Sequence, residues 1–426
     1  MSHNTLSLVG THASALTTPL SPLAQHYVEV RAHSLALAQP LSAEDQCVQS
    51  MPDTSPTKWH LAHTTWFFET LLLCPLVAHY AVFDTQFFYL FNSYYEALGP
   101  RHPRPMRGLL TRPSLDKVLA YRSHVDAAVL AWLAAATPAE VAAVEPVLTL
   151  GLHHEQQHQE LLLTDILHAF SCNPLLPAYA PQATRELPRL RLASEAPSPT
   201  WLAQDERIVE VGHAAEPGAG FAFDNETPRH RRLLPAYEIA TQLVSCGDYA
   251  AFIADGGYRR PELWLSDGWA EVQRQGWTGP AYWLAEDDAR APGAGWRVFG
   301  LHGVLPLDPH EAVSQLSFFE AAAYAEWAGA RLPTEFEWEA ALDAPGIQQM
   351  QGVVWQWTRS SYDPYPGFRP MAGAASEYNG KFMVGQLVLR GSSLATPAGH
   401  TRGSYRNFFP PAARWQFSGL RLARDV

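Results

Sequence analysis

The residues best placed to do chemistry are two histidines four apart, His154 and His158, within the run GLHHEQQHQELLLTD (Gly151–Asp165). On a helix such positions lie about 40° apart around the axis and roughly one turn along it, so both imidazoles can reach one metal ion. Gln157 flanks that face, and Glu160 lies nearly opposite it. A second pair, His60 and His63, stands three apart among Trp59, Trp66, Phe67 and Phe68. One of these can complete a metal set from a facing helix; a histidine on so apolar a helix can equally be a satisfied core residue.

The same run spells H-E-x-x-H, the zinc-peptidase pattern in which Glu155 would be the general base. That reading lacks an evident third ligand. Leu161 stands where the extended form of the pattern has Gly, and Glu186 and Glu195 fall in a Pro-rich segment without helical periodicity. A zinc metallopeptidase therefore remains only as a minor alternative. Upstream, Arg101, Arg104 and Arg107 gather positive charge on a Gly/Pro-containing loop, which suits a carboxylate or phosphate, or else forms a solvated loop. Tyr94 and Tyr95 just before it can donate a proton near a metal, or pack.

Four helical patterns must position these groups: Ala24–Leu37, Trp59–Leu73, Ser114–Ala135 and Pro138–Phe170, each with apolar residues at three-and-four spacing. They predict a four-helix bundle, with Ser114 as a cap of the third helix. Residues 1–20 read as a loose tail, 21–172 as the helical domain and 173–200 as a Pro-rich connection. Residues 201–426 read as a second domain of α+β character with much coil. Its clearest helix is Ser317–Ala328, ended by Gly329, while Asp267–Gly300 reads as loop packed by its own aromatics.

A chain of 426 residues with 47% hydrophobic content fits two soluble domains. A formal charge of −12 argues against a general nucleic-acid or anionic-membrane binder. The four cysteines, Cys47, Cys74, Cys172 and Cys246, form no C-x-x-C pair, which fits a reducing compartment. The first twenty residues carry no signal-peptide pattern, and no apolar run reaches membrane-spanning length, so a cytoplasmic location is expected.

In the second half WAGARLPTEFEWEAAL (Trp327–Leu342), VVWQWTRSSYDPYPGF (Val353–Phe368), VLRGSSLATP (Val388–Pro397) and FSGLRLARD (Phe417–Asp425) resemble the formylglycine-generating-enzyme fold, a C-type-lectin-like architecture. Only Cys246 lies in that half, so the copper-binding cysteine pair of those oxidases is missing. Together with a DinB-like bundle carrying LAH (Leu61–His63) and HEQQH (His154–His158), the whole resembles the sulfoxide synthases of ergothioneine biosynthesis. The fold class implied is α+β multidomain: a DinB-like four-helix bundle followed by a formylglycine-generating-enzyme-like domain.

The resemblance implies a non-heme Fe(II) enzyme using O2, with His63, His154 and His158 as ligands. Imidazoles alone would also accept zinc, copper or nickel. It further implies an active-site tyrosine from FNSYYE, hence Tyr94 or Tyr95, and places Gln157 and Asn407 at the imidazole of hercynine, the trimethylated histidine. A quaternary ammonium has no proton to donate, so aromatic faces must hold it, and Phe408, Phe409 and Trp415 are the candidates. The arginine loop would then clamp the second substrate, and the site should lie between the domains. Family donors are cysteine, γ-glutamylcysteine and, in one branch, a selenosugar. Three positions depart from the sulfoxide-synthase pattern: Gln356 for Glu, Ser392 for Gly and Leu394 for Cys. On these the expectation is a selenoneine synthase, which joins hercynine C2 to the selenium of a selenosugar. The alternative is a sulfoxide synthase with a thiol donor. A non-catalytic carbohydrate binder built on the lectin-like half is a further reading. His154→Ala separates it from the enzymes.

Overall fold

The computed structural model describes residues 20–180 and 200–426 apart from residues 215 and 217. The expected tail, most of the Pro-rich connection, and Glu186 and Glu195 lie outside the described residues.

Among the described residues, four long helices form the N-terminal half. α1 (Pro22–Ala38) starts at Ser21, whose hydroxyl accepts from the Ala24 amide at 3.3 Å. α2 (Thr57–Phe68) is buried along its whole length. It runs on into a single π-helical turn, Glu69–Leu73. There the buried Glu69 carboxylate accepts from the Tyr121 and Tyr80 hydroxyls at 2.6 and 3.0 Å and from the Phe83 amide at 3.1 Å. Short helices α3 (Cys74–Leu76) and α4 (Phe87–Leu90) lead through the arginine loop to α5 (Leu115–Ala135), capped by Ser114. α6 (Pro138–Ser171) is 34 residues long and begins with a reciprocal cap between Thr137 and Glu140.

Close approach of α6 to α2 depends on Gly151. A Cβ built there would lie 2.5 Å from Phe68 Cε1 and 2.9 Å from Phe67 Cε1. A larger residue at this crossing would have to displace the Phe67 and Phe68 rings of α2, and the crossing is what brings His154 opposite His63. Tyr27, Phe67, Phe68, Val125, Val129, Leu148 and Leu152 fill the core between the helices. No described helix is long and apolar enough to cross a membrane.

Among the described residues the C-terminal half has four small sheets. β1 (Trp201–Gln204), β4 (Tyr237–Ala240) and β12 (Ala423–Asp425) form one, with β4 central and both pairings antiparallel. β2 (Arg207–Val211) and β3 (His230–Leu234) make a two-stranded ribbon. β5 (Trp283–Leu284), β6 (Arg297–Gly300) and β7 (Gly303–Pro306) form a third. In the fourth, β8 (Trp355–Ser361) lies between β9 (Leu387–Gly391) and β11 (Ser418–Gly419), and β10 (Asn407–Phe409) adds to β9. Around them pack α7 (Cys246–Ala254), α8 (Ser266–Gln275), α9 (Phe318–Trp327) and α10 (Glu335–Ala341).

Gly329 follows α9 at φ +64°, the left-handed conformation that ends a helix there. The stretch read as loop, Asp267–Gly300, instead holds most of α8 and strands β5 and β6. α8 is a mostly polar helix that buries only Gly268 and Val272.

The last turns of α6 join the two halves. Leu162, Leu163, Ile166 and Leu167 share one buried cluster with Leu284, Phe299 and Phe417. The residue Glu160, expected to face away, reaches across as well: Ser393 Oγ, Thr396 Oγ1 and Trp355 Nε1 donate to it at 2.5, 2.6 and 2.8 Å. Burial raises the pKa of this carboxyl against those three donors.

Candidate metal centre and active site

α2 supplies His63 and α6 supplies His154 and His158, and one ligand nitrogen from each lies within 4.8 Å of the others. His63 Nδ1 donates to the Phe91 carbonyl at 2.6 Å, leaving Nε2 bare. That Nε2 faces His154 Nε2 at 3.2 Å. Burial, reinforced by His154, holds the His63 pKa well below its ordinary value. Burial likewise brings His154 down to about 3, and burial with the neighbouring histidines lowers His158 far below normal. At this distance either a proton on His154 Nε2 or a bound cation bridges the two nitrogens, and His154 Nδ1 has no partner among the described residues. This donor set fits a borderline divalent ion such as Fe(II) or Zn(II).

His60 stands behind this centre. Its Nδ1 meets His158 Nδ1 at 2.7 Å, and its Nε2 meets Asp165 Oδ2 at 3.0 Å. With His60 donating to Asp165 and His158 donating to His60, the His158 Nε2 is left free to face the centre. Asp165 is itself fixed by the Ser55 amide at 2.8 Å. Trp59 and Trp66 stack on the two sides of the His63 ring, with centroids 4.6 and 5.6 Å away.

Glu155 does not reach the centre. It is fully buried on the opposite side of α6, paired with Arg31 at 2.8 Å and with Arg122, and it accepts from Ser34 at 2.5 Å. Burial by itself would raise its pKa, but Arg122 and Arg31 bring it down to about 2. The carboxylate that the peptidase reading needs as a base is thus an ion-pair partner inside the bundle, and that reading falls.

A cavity of about 370 Å³ opens between the two halves over this centre. Its wall contains His154, His158, Gln157, Tyr94, Arg101, Arg104, Arg107, Asn407, Phe408, Phe409 and Trp415 together. Tyr95 departs from the set. It is fully buried and packs beside Trp66 and Phe67, stacked under Tyr94 with centroids 4.8 Å apart, and does not line the cavity. Of the three arginines, Arg101 pairs with Glu96 at 2.8 Å, and Arg104 donates to the Asp53 carbonyl. Arg107 is buried over the Trp59 ring, 3.4 Å from its centroid, and donates to Ser55 and Ser93 at 2.9 and 3.2 Å.

Sequence reasoning missed Tyr378. It lies in a segment without helical or strand periodicity, more than 200 positions from the histidines, so only folding could reveal it. Its ring centroid is 5.6 Å from that of His154, it lines the cavity, and its hydroxyl donates to Gln157 Oε1. Burial pushes its phenol well above the ordinary value, so it remains protonated. Glu377 and Lys381 fasten this segment to the helical half. Glu377 accepts from the Ala97 amide at 2.9 Å, and Lys381 donates to the Tyr94 carbonyl.

The three departures from the family pattern lie away from the cavity wall. Gln356 is fully buried: Trp338 and Arg421 donate to its Oε1 at 2.8 and 3.0 Å, and its Nε2 donates to the Met350 carbonyl at 2.8 Å. Ser392 Oγ accepts from the Gly352 amide at 2.7 Å. Leu394 packs against the apolar cluster at the end of α6. None of the three lines the cavity, and each has a local structural partner, so their reading as determinants of the donor gains no support from the structure.

Comparison with known proteins agrees with this architecture. The DinB superfamily matches residues 26–162, and the sulfatase-modifying factor enzyme 1-like domain matches residues 196–346 and 343–426. The chain is 33% identical to a hercynine oxygenase of Mycobacterium tuberculosis, over 96% of this chain and 100% of that one. A hercynine oxygenase of Mycolicibacterium thermoresistibile is 34% identical over 64% of this chain and 67% of its own. Ergothioneine biosynthesis protein 1 of Schizosaccharomyces pombe is 25% identical over 48% of this chain and 28% of its own.

Proposed function

The chain belongs to the hercynine oxygenase family, and from that premise we propose that it joins C2 of the hercynine imidazole to the sulfur of a thiol donor, cysteine or γ-glutamylcysteine. The observation that carries the reading is a set of three neutral imidazoles, two buried and His158 half-buried, at a cavity whose wall also offers an amide at Gln157 and aromatic faces at Phe408, Phe409 and Trp415. The reaction balances with O2 as the four-electron oxidant. The imidazole C–H and the thiol S–H are lost, a C–S bond and an S=O bond form, and the second oxygen leaves as water.

His63, His154 and His158 would hold Fe(II), which supplies oxygen activation when bound. Phe408, Phe409 and Trp415 take the trimethylammonium group by cation–π attraction. Gln157 and Asn407 take the ring nitrogens. Arg107, with no carboxylate among its hydrogen-bond partners, and its neighbours Arg101 and Arg104 receive the donor's carboxylate. Tyr378 replaces Tyr94 and Tyr95 as the proton donor nearest the centre.

A selenosugar donor is the second reading. Its residue-level argument from Gln356, Ser392 and Leu394 is lost, but Phe382, which the trimethylammonium group leaves unused on the cavity wall, suits the C–H face of a sugar ring. The test is anaerobic loading with Fe(II), then O2 and hercynine with each donor in parallel, read by mass spectrometry. A hercynine sulfoxide from cysteine or γ-glutamylcysteine supports the proposal, and a selenium adduct formed only from the selenosugar moves it to the second reading. Loaded enzyme that makes no product with any donor would falsify both.

A further inference from the structure

Behind the three-histidine centre, hydrogen bonds run from one histidine to a buried carboxylate. His158 Nδ1 lies 2.7 Å from His60 Nδ1, and His60 Nε2 lies 3.0 Å from Asp165 Oδ2. The same Oδ2 accepts from the Ser55 amide at 2.8 Å. Ser55 is held in turn by Arg107, which donates to its hydroxyl at 2.9 Å. His60 and Asp165 are both buried. Among the described residues no arginine or lysine pairs with Asp165, so its carboxylate is directed at the His60 ring.

The direction of this chain follows from what His158 must do. Any proton on His60 Nδ1 would require His158 to accept at its own Nδ1. The His158 proton would then sit on Nε2, the nitrogen left for a metal. A ligating His158 therefore donates from Nδ1, and His60 accepts there while donating from Nε2 to Asp165. The carboxylate draws on the His60 N–H, which makes the far nitrogen of that ring a better acceptor. The His158 N–H is polarised in turn, and its Nε2 gains donor strength. The other two histidines lack this support. His63 Nδ1 meets only the neutral Phe91 carbonyl at 2.6 Å, and His154 Nδ1 is buried without a partner among the described residues.

We propose that His60 and Asp165 are positioning residues acting as one relay, which fixes His158 as its Nδ1–H tautomer and makes it the strongest donor of the three. The inference rests on the three-histidine centre of the proposed function and ranks its members. It also gives His60 a task distinct from packing: the ring passes the pull of a carboxylate to a ligand that the carboxylate does not touch.

The test reads metal binding rather than turnover, on the full-length chain. Co(II), whose visible d–d bands report ligand field, is titrated by chelator competition into the wild type, His60→Phe, His60→Gln and Asp165→Asn. His60→Phe keeps an aromatic ring beside Trp59 but ends the relay. It should weaken Co(II) binding about 10–100-fold, the usual scale for losing an outer partner, and move the bands to longer wavelength. His60→Gln is the rescue. Its amide sets an acceptor and a donor across one carbon, as the imidazole does, so Oε1 can take the His158 N–H while Nε2 serves Asp165. It should recover most of the affinity and the bands. Asp165→Asn keeps the shape and removes the charge, and should fall between, with the same direction of shift. Wild-type affinity and bands in both His60→Phe and Asp165→Asn would overturn the proposal; if His60→Phe does not fold, the nearly isosteric Asp165→Asn alone decides. His60→Gln as weak as His60→Phe would also overturn it, because lost packing would then account for both. Wild type that takes up neither Co(II) nor Fe(II) would overturn the three-histidine centre, and the proposed function with it.

Discussion

At the scale of single residues, burial and partners decide role more than residue type does. Glu155 sits inside a metallopeptidase signature, yet it neutralises Arg31 and Arg122 within the helical core. Glu155→Gln leaves two buried guanidinium groups short of their counter-charge. It should cost about 3–5 kcal/mol of stability, the usual range for breaking a buried pair, measured by chemical denaturation. Casein or peptide hydrolysis by the wild type would contradict this assignment. Gln356 makes the converse case. An uncharged amide there meets donors on one edge and carbonyls on the other, out of reach of the cavity. Gln356→Glu should alter melting temperature but leave the ratio of turnover with sulfur and selenium donors unchanged. A shifted ratio would restore position 356 as a donor determinant.

At the scale of elements, the metal centre is a product of one helix crossing. α2 and α6 approach closely because Gly151 presents no Cβ to Phe67 and Phe68. Gly151→Ala forces a carbon to 2.5 Å from Phe68 Cε1, and the buried Phe67 and Phe68 rings or the helix that carries them must shift. Overpacking of this kind costs about 1–3 kcal/mol. Because His63 and His154 lie on opposite sides of the crossing, the variant should also bind Fe(II) more weakly in a chelator competition. Unchanged iron affinity would mean that the histidines adjust independently of the helix backbones. The periodicity of these helices was legible in the sequence, and so was the Ser114 cap. The π turn after α2 and helix α8 were not, since each depends on which few side chains find partners elsewhere in the fold.

At the scale of the whole molecule, the two halves meet through polar groups that tolerate protonation poorly. His400 faces His153 and Arg402, and burial together with these neighbours holds its pKa well below the ordinary histidine value. A histidine whose pKa is depressed by folding stabilises the folded state fully above its unfolded pKa, near 6.5. That contribution is lost progressively as pH falls below it towards the folded pKa. The protein should therefore melt at a lower temperature at pH 5.5 than at pH 7.5, and His400→Gln should show a smaller fall over the same interval. An equal fall in both would assign the pH dependence to other groups.

What the sequence determined by itself was local. The spacing of His154 and His158 on one helix, the apolar faces of four helices and the capping residues all follow from the chain's own periodicity. The order of motifs identified the family. Only the tertiary structure decided which distant groups share a cavity. It set His60 behind His158, buried Tyr95, and brought Tyr378 and Tyr405 against Gln157. Periodicity specifies which face a side chain takes on its own element. Which element meets that face is fixed by packing between segments far apart in the chain, where close contact at Gly151 and the burial of Glu160 select one arrangement.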